Sequence, residues 1–325
     1  MAETTFDQKS PSANPWHMDL VVVGFTGELR ALKLQARSIR LYARHGTFSR
    51  IYIVVNDNAF SHFRRYFESE VLPEYGDHAD RVELVDYRAL TGKPFKKTGW
   101  RSQQALKLLV ARLVDAPQYL LLDSKNHFIR SVDQSCFIAP DGRLRTHMYP
   151  VITGFETYFE AACNYFGVSH PEVRPIVMPT ATPVMMVSKH VSALLELVES
   201  REEVSFFTFF MESRRFTEFY FYYVYLCSVP GAFDQAYSLS NKPNVTFFAN
   251  SADDHQKVAD SSKALDGPDI YLLGVHRHVF EIGLAENLSV ISELWRRFGL
   301  VSSDSEAEYF QGYDVPVKRK KFIFF

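Results

Sequence analysis

The segment YLLLDSKNHFIR, residues 119–130, is the densest run of chemically able groups in this chain. An apolar stretch, Tyr119 to Leu122, leads into the carboxylate of Asp123 and then into Ser124, Lys125, Asn126 and His127. Side chains alternate along an extended backbone, so Asp123 and Lys125 share one side and Ser124 takes the other. An acid and a cation placed in this way can hold a ribose and a diphosphate. The competing role for Asp123 is to open a solvated turn. Two earlier apolar runs also end in polar groups, Thr26 with Glu28 and Asn56 with Asp57. Ligands of open α/β sheets bind beyond the carboxyl ends of the strands, which makes all three ends candidates.

Further candidates lie on either side. Trp100, Gln103, Gln104 and Lys107 are spaced to share one helical face. Two amides and an ammonium on that face can read a base edge, hydroxyls or phosphates, or they can be an ordinary polar surface. Glu218, in RRFTEFYFYYVYL, shares a face with Phe221, Tyr222 and Tyr225. A carboxylate among aromatics is desolvated and its pKa rises, as a general base for a hydroxyl requires. The alternative is an ion pair with Arg214 or Arg215. The surrounding Tyr and Phe side chains read as core before they read as a stacking platform. His276, Arg277 and His278 follow the apolar segment Ile270 to Val275, again at a strand end, where they can meet phosphates. No second His/Asp cluster of zinc-site spacing accompanies them. Gly24-Phe25-Thr26-Gly27 is neither a dinucleotide fingerprint nor a P-loop, and no GxSxG elbow occurs.

Several elements must position these groups. Leu20 to Val23 reads as a buried parallel strand. Leu29, Leu32, Ala36, Ile39 and Ala43 then mark a helix with one apolar stripe, with Thr26 as its N-cap and Glu28 complementing its dipole. Ile51 to Val55 completes a βαβ unit, the building block of a parallel sheet with helices on both faces. Val82 to Val85 is a weaker third strand, a helix runs from about Trp100 to Val114, and Tyr119 to Leu122 is a fourth strand. Farther on, Val184 to Val187 reads as a strand, Val191 to Val198 as a helix, and Phe216 up to Pro230 as another. Residues 250–268 read as loop, and Leu288 to Phe298 as the last helix. The expected organisation is a tail over residues 1–17, one domain over 18–315 divided near 145, and a terminal tail over 316–325.

The 325 residues are 46% hydrophobic and 23% charged, a globular composition that excludes disorder as the dominant state. A net charge of −2 supplies no overall basic field and argues against nucleic acid as partner. Cys136, Cys163 and Cys227 form no CxxC pair or disulfide framework, so reduced thiols in a cytoplasmic protein are expected. The N-terminus lacks a signal-peptide pattern, and about 18 apolar residues nowhere run consecutively. The C-terminus places Lys318, Arg319, Lys320 and Lys321 before Phe322, Ile323, Phe324 and Phe325. This pattern reads either as peripheral contact with the anionic inner face of a membrane or as an edge strand.

The run GWRSQQALKLLVARLVDAPQYLLLDSKNHFIR resembles a bacterial family related to GT-A-type glycosyltransferases of surface and capsular polysaccharide synthesis. The resemblance covers residues 18–145 and continues more faintly through TPVMMV, FTEFYFYY and HRHVF. It implies an α/β, GT-A-like, Rossmann-related and mostly parallel sheet with an elaborated C-terminal half. It also implies transfer from a nucleotide-sugar donor to a hydroxyl of a glycan or lipid-linked acceptor. Asp123 would take the first place of a DxD-like motif and bind the ribose or phosphate. Lys125, Asn126 and the His276–His278 group would meet the donor, and Glu218 would deprotonate the acceptor. The third motif position, ordinarily a ligand for Mn²⁺ or Mg²⁺, is Lys125, and an ammonium is no ligand. Metal dependence is therefore doubtful on sequence grounds, with Asp123 the protein ligand if there is one. The alternatives are a sugar-phosphate nucleotidyltransferase, which should carry a Gly-rich phosphate loop, and a non-catalytic glycan-binding or assembly protein with a degenerate site.

Overall fold

Strand β1 (Met18–Gly24) is buried along its whole length, as is β2 (Ile51–Val55). Strand β3 (Val82–Asp86) is only half-buried, and β4 (Gln118–Leu122) is again fully buried. The computed structural model that reveals them describes residues 17–95, 98–169 and 176–312. The four strands are parallel in the order β3-β2-β1-β4, with Leu20 opposite both Ile51 and Leu120. Their near-continuous Val/Ile/Leu content follows from burial on both faces. The outer position of β3 explains why its sequence signal is weak. Beyond β4 come the short β5 (Asn126–Phe128) and, far along the chain, β6 (Val184–Val187). Strand β6 pairs antiparallel with β4 and closes the five-stranded sheet.

A second sheet is formed by β7 (Asn244–Phe247) and β8 (Leu272–Val275), which run parallel. Strand β8 also pairs antiparallel with β5. The turn at Asp123 thus sits where one sheet hands the chain to the other.

Helix α1 (Leu29–Tyr42) buries Leu29, Leu32, Ala36 and Ile39. Its N-cap is Glu28, which makes no side-chain cap; Thr26 lies in a preceding 3₁₀ turn and does not cap the helix. Helix α2 (Trp100–Leu109) ends in a short 3₁₀ turn. Helices α3 (Glu156–Phe166) and α4 (Ser188–Glu202) flank the C-terminal half. The aromatic run ahead of Phe216 forms a helix the sequence did not announce, α5 (Phe206–Ser213), and the helix expected between Phe216 and Pro230 is α6 (Glu218–Ser228). The break falls at Arg214, which takes a left-handed conformation with φ of 51°. Its residues are core: Phe221 lies 4.6 Å from Phe216 and 4.8 Å from Phe166, ring to ring.

Two further sequence expectations are corrected. Residues 250–268 are not all loop, because α7 (His255–Ala264) forms there. Asp254 caps the Lys257 N–H and Val258 alone is buried, so the apolar stripe is too thin to see. Helix α8 (Ala285–Arg297) is followed by another, α9 (Asp304–Gln311), capped by Ser303. A smaller core of Leu34, Phe247, Leu273, Trp295, Phe298 and Phe310 joins these helices to the second sheet. Cys136, Cys163 and Cys227 are free thiols. No helix among the described residues is long and apolar enough to cross a membrane. The basic-aromatic tail at 318–325 lies outside the described residues, as does most of the N-terminal tail.

Candidate active site

The carboxyl ends of β1, β2 and β4 open onto a cleft of about 580 Å³. Its position is the one expected of ligand sites in open α/β sheets. One wall is α2, which presents Trp100, Gln103, Gln104 and Lys107. The floor is Asp123, Ser124 and Lys125 from the β4–β5 turn. Thr217 and Glu218 come from the start of α6, and Phe248, His276 and Arg277 from the ends of β7 and β8. Phe25 and Glu28 close the β1 side.

Asp123 is held from below. Gln35, buried on α1, donates from Nε2 to the carbonyls of Asp123 (2.8 Å) and Asn126 (2.9 Å). The Asp123 N–H donates to Asn126 Oδ1 at 3.0 Å. The Val275 N–H donates to the Lys125 carbonyl at 3.1 Å. That β8–β5 contact brings His276 and Arg277 beside a turn some hundred and fifty residues earlier.

A chain of charges crosses the floor. Lys107, 5% exposed, points its ammonium between Asp123 Oδ1 (2.8 Å) and Glu218 Oε1 (3.1 Å). Lys125 pairs with the other oxygen of Asp123, Oδ2. Burial opposes ionisation of Asp123, but the two ammonium groups outweigh it and hold the carboxyl well below the usual range. For Lys107 burial is again opposed by both carboxylates, which keep it protonated. For Glu218 burial wins over Lys107, and the carboxyl is pushed up. The partner of Glu218 is thus Lys107, not Arg214 or Arg215. Arg101 fixes this approach by donating to the carbonyls of Phe210 (2.7 Å) and Phe216 (2.9 Å), just ahead of Thr217 and Glu218.

Glu28, which the sequence placed at a candidate strand end and gave no role beyond complementing a helix dipole, lines the cleft. Its carboxyl is pushed up to about 7, by burial first and by Asp123 second, with Ser124, Lys125 and Arg277 pulling it back. Its Oε2 is inaccessible and has no hydrogen-bond partner. Three more buried polar atoms on residues of the same cleft lack a hydrogen bond: Gln104 Oε1, Thr217 Oγ1 and Asp123 Oδ1, the last of which has the ion pair with Lys107. Buried polar groups are nearly always paired, so these side chains have hydrogen-bonding capacity left for water or for an occupant of the cleft once they turn toward it.

The other expected site residues divide into two groups. Asn56 lines the cleft, but its amide donates to the Gly99 carbonyl (3.2 Å) and accepts from Ser102 Oγ (2.8 Å), which fastens the start of α2. Gln103 donates to the Val23 carbonyl at 3.1 Å. His276 accepts from the His278 N–H on Nδ1 (3.4 Å). Burial, then Lys125, lowers its pKa to about 4, so it is neutral at pH 7 and adds no charge for a phosphate. Arg277 lies over the Phe25 ring at 5.9 Å. Outside the cleft walls stand Thr26, Asp57, Asn126 and His278. Asp57 accepts from the N–H groups of Thr26 (3.1 Å) and Ala59 (2.9 Å). Asn126 accepts from Thr182 Oγ1 (2.6 Å), and the half-buried His278 pairs with Glu281.

The divalent cation that the GT-A resemblance implies would have to bind at Asp123. Such an ion takes oxygen ligands, and each Asp123 oxygen already faces an ammonium. Among the described residues no group of three or more His, Cys, Asp or Glu is placed to hold a metal. The donor set at Asp123 does not fit the ion.

No curated protein sequence matches the chain. Among solved structures, the galactosyltransferase LgtC, in complex with donor and acceptor sugar analogues, is similar at 13% identity and TM-score 0.44. That alignment covers 86% of this chain and 100% of LgtC. The apo bifunctional glycosyltransferase WbbM aligns over 91% of this chain and 51% of its own, at 9% identity and TM-score 0.46. Mouse xyloside xylosyltransferase 1, in its apo form, aligns over 79% and 97%, at 10% identity and TM-score 0.42. Residues 24–268 match the model of a family of unknown function (DUF6492), and the chain belongs to that family.

Proposed function

We propose that this protein transfers a sugar from a nucleotide-sugar donor to a hydroxyl of a glycan or glycolipid acceptor, in bacterial surface-polysaccharide assembly. The observation that carries the reading is the composition of the cleft. Three buried, unpartnered polar atoms (Glu28 Oε2, Gln104 Oε1 and Thr217 Oγ1) suit a hydroxyl-rich ligand. Lys125 and Arg277 on the same cleft suit a diphosphate. Half-exposed Trp100 and Phe248 at the rim offer flat apolar faces. The sequence resemblance to GT-A-type enzymes points the same way.

In this reading the acceptor hydroxyl gives its proton to Glu218 as its oxygen bonds to the anomeric carbon. The bond from that carbon to the diphosphate oxygen breaks, and the electron pair leaves with the diphosphate. Fixed positive charge at the departing oxygen lowers the barrier. Burial keeps Glu218 basic enough to accept the proton, while Lys107 holds the carboxylate in place.

A thermal-shift screen with UDP, GDP, CMP and their sugars tests the reading. At least one nucleotide should raise the melting temperature, because a ligand of the folded state stabilises it by mass action. The absence of any shift across the panel at millimolar ligand would remove the donor assignment.

A further inference from the structure

We propose that the cleft binds its nucleotide diphosphate without a divalent cation, the ammonium of Lys125 and the guanidinium of Arg277 supplying the positive charge that a metal would bring. The inference rests on the nucleotide-sugar reading above and deepens it.

The argument begins at Asp123. A carboxylate that ligates a metal beside a diphosphate needs an oxygen free to face the ion. Here Lys107 occupies Oδ1 at 2.8 Å and Lys125 occupies Oδ2. Lys107 cannot leave cheaply. It is buried, its other partner is the buried Glu218, and its ammonium lies 5.1 Å from the Phe219 ring. Withdrawing it would strand the buried Glu218 carboxylate and leave Asp123 with Lys125 alone. Asp123 therefore works as a counter-ion that organises two lysines.

Lys125 is placed for the task. Its backbone is tied to β8 through the Val275 N–H, so its side chain starts from a fixed point beside Arg277. Both cationic groups line the cleft with Phe25 and Glu28. His276, neutral and next to Arg277 in the chain, can donate a hydrogen bond from Nε2 because Nδ1 accepts the His278 N–H. When the bond from the anomeric carbon to the diphosphate breaks, the electron pair goes to a phosphate oxygen. Lys125 and Arg277 meet that charge without reorganisation, as fixed donors do in a preorganised site.

Glu28 is the one nearby acid not consumed by an ion pair, and it defines the rival arrangement. A metal could be gripped by Glu28 and Asp123 if Lys125 swung away. Calorimetric titration of the full chain with UDP and with GDP, in EDTA and then in Mn²⁺, separates the two. The expected result is one nucleotide whose affinity in EDTA lies within about threefold of that in Mn²⁺, well under one charge-assisted contact. Lys125→Met should weaken binding about tenfold, the loss of one such contact, in both conditions. Lys125→Asp, which places acids at positions 123 and 125, should bind weakly in EDTA and recover in Mn²⁺. Wild-type binding seen only with Mn²⁺, and lost in Glu28→Gln, would overturn the metal-free proposal while leaving the nucleotide-sugar reading intact. Binding of neither nucleotide in either condition would overturn the metal-free diphosphate proposal, and the nucleotide-sugar reading falls with it when CMP also leaves the melting temperature unchanged.

Discussion

At the scale of single residues, the cleft is defined by carboxyls driven in opposite directions. Asp123 is held ionised by two lysines, whereas Glu28 is pushed up to about 7 by burial and by Asp123 itself. A carboxyl raised on folding contributes stability that is complete below its unfolded value and is lost as pH rises through its folded value. For Glu28 that window runs from 4.5 to about 7. The groups facing it are Asp123, Ser124, Lys125 and Arg277. His127, His147 and His276, whose pKa values burial lowers, act in the opposite sense, so the quantity to follow is variant minus wild type. Glu28→Gln should gain melting temperature relative to wild type between pH 5 and pH 8; a difference that stays flat would show Glu28 ionised throughout. Lys107→Met should cost about 3–5 kcal/mol in urea unfolding, since it leaves the buried Glu218 without its cation and Asp123 with Lys125 alone. A loss below about 1 kcal/mol would mean that water reaches the pair.

At the scale of elements, the site depends on staples that local sequence only half reveals. Strands β1, β2 and β4 were legible as apolar runs because both their faces are buried. Asp123 was legible because it ends such a run. The shared face of Trp100, Gln103, Gln104 and Lys107 was legible from spacing, but the depth of Lys107 was not. Its burial is made by Glu218 and Phe219, which arrive on α6. Gln35 was invisible as a site residue, since a glutamine beside an apolar stripe looks like a boundary position. Glu28 looked like a dipole partner for the same reason, because what desolvates it comes from distant strands. Gln35→Met should destabilise by about 1–3 kcal/mol by removing one hydrogen bond from each of the carbonyls of Asp123, which keeps the Asn126 N–H, and Asn126. It should also weaken nucleotide binding. Unchanged stability would show that the turn holds itself.

At the scale of the whole molecule, the cleft lies between two sheets whose pairing no local pattern encodes. Strands β5 and β8 are three and four residues long and widely separated in the chain, so neither announces its partner. Their register nevertheless sets where Arg277 stands relative to Lys125. The smaller core beneath them holds that register. Trp295, 1% exposed, packs 6.3 Å from the buried His127 ring and 5.7 Å from Phe280. Trp295→Ala should cost about 3–5 kcal/mol and lower nucleotide affinity together with the melting temperature. Loss of stability with full affinity would show that the two sheets keep their register without this core.

Release of nucleoside diphosphate from a panel of UDP- and GDP-sugars, in the presence of glycan acceptors, is the most direct test of sugar transfer by this cleft. Wild type should turn over at least one donor. Glu218→Gln should reduce that rate by about 10²- to 10⁴-fold, the range for losing a general base, with nucleotide affinity nearly unchanged. Turnover that survives in Glu218→Gln, or wild-type protein that binds a nucleotide yet releases none from any sugar conjugate, would contradict the account.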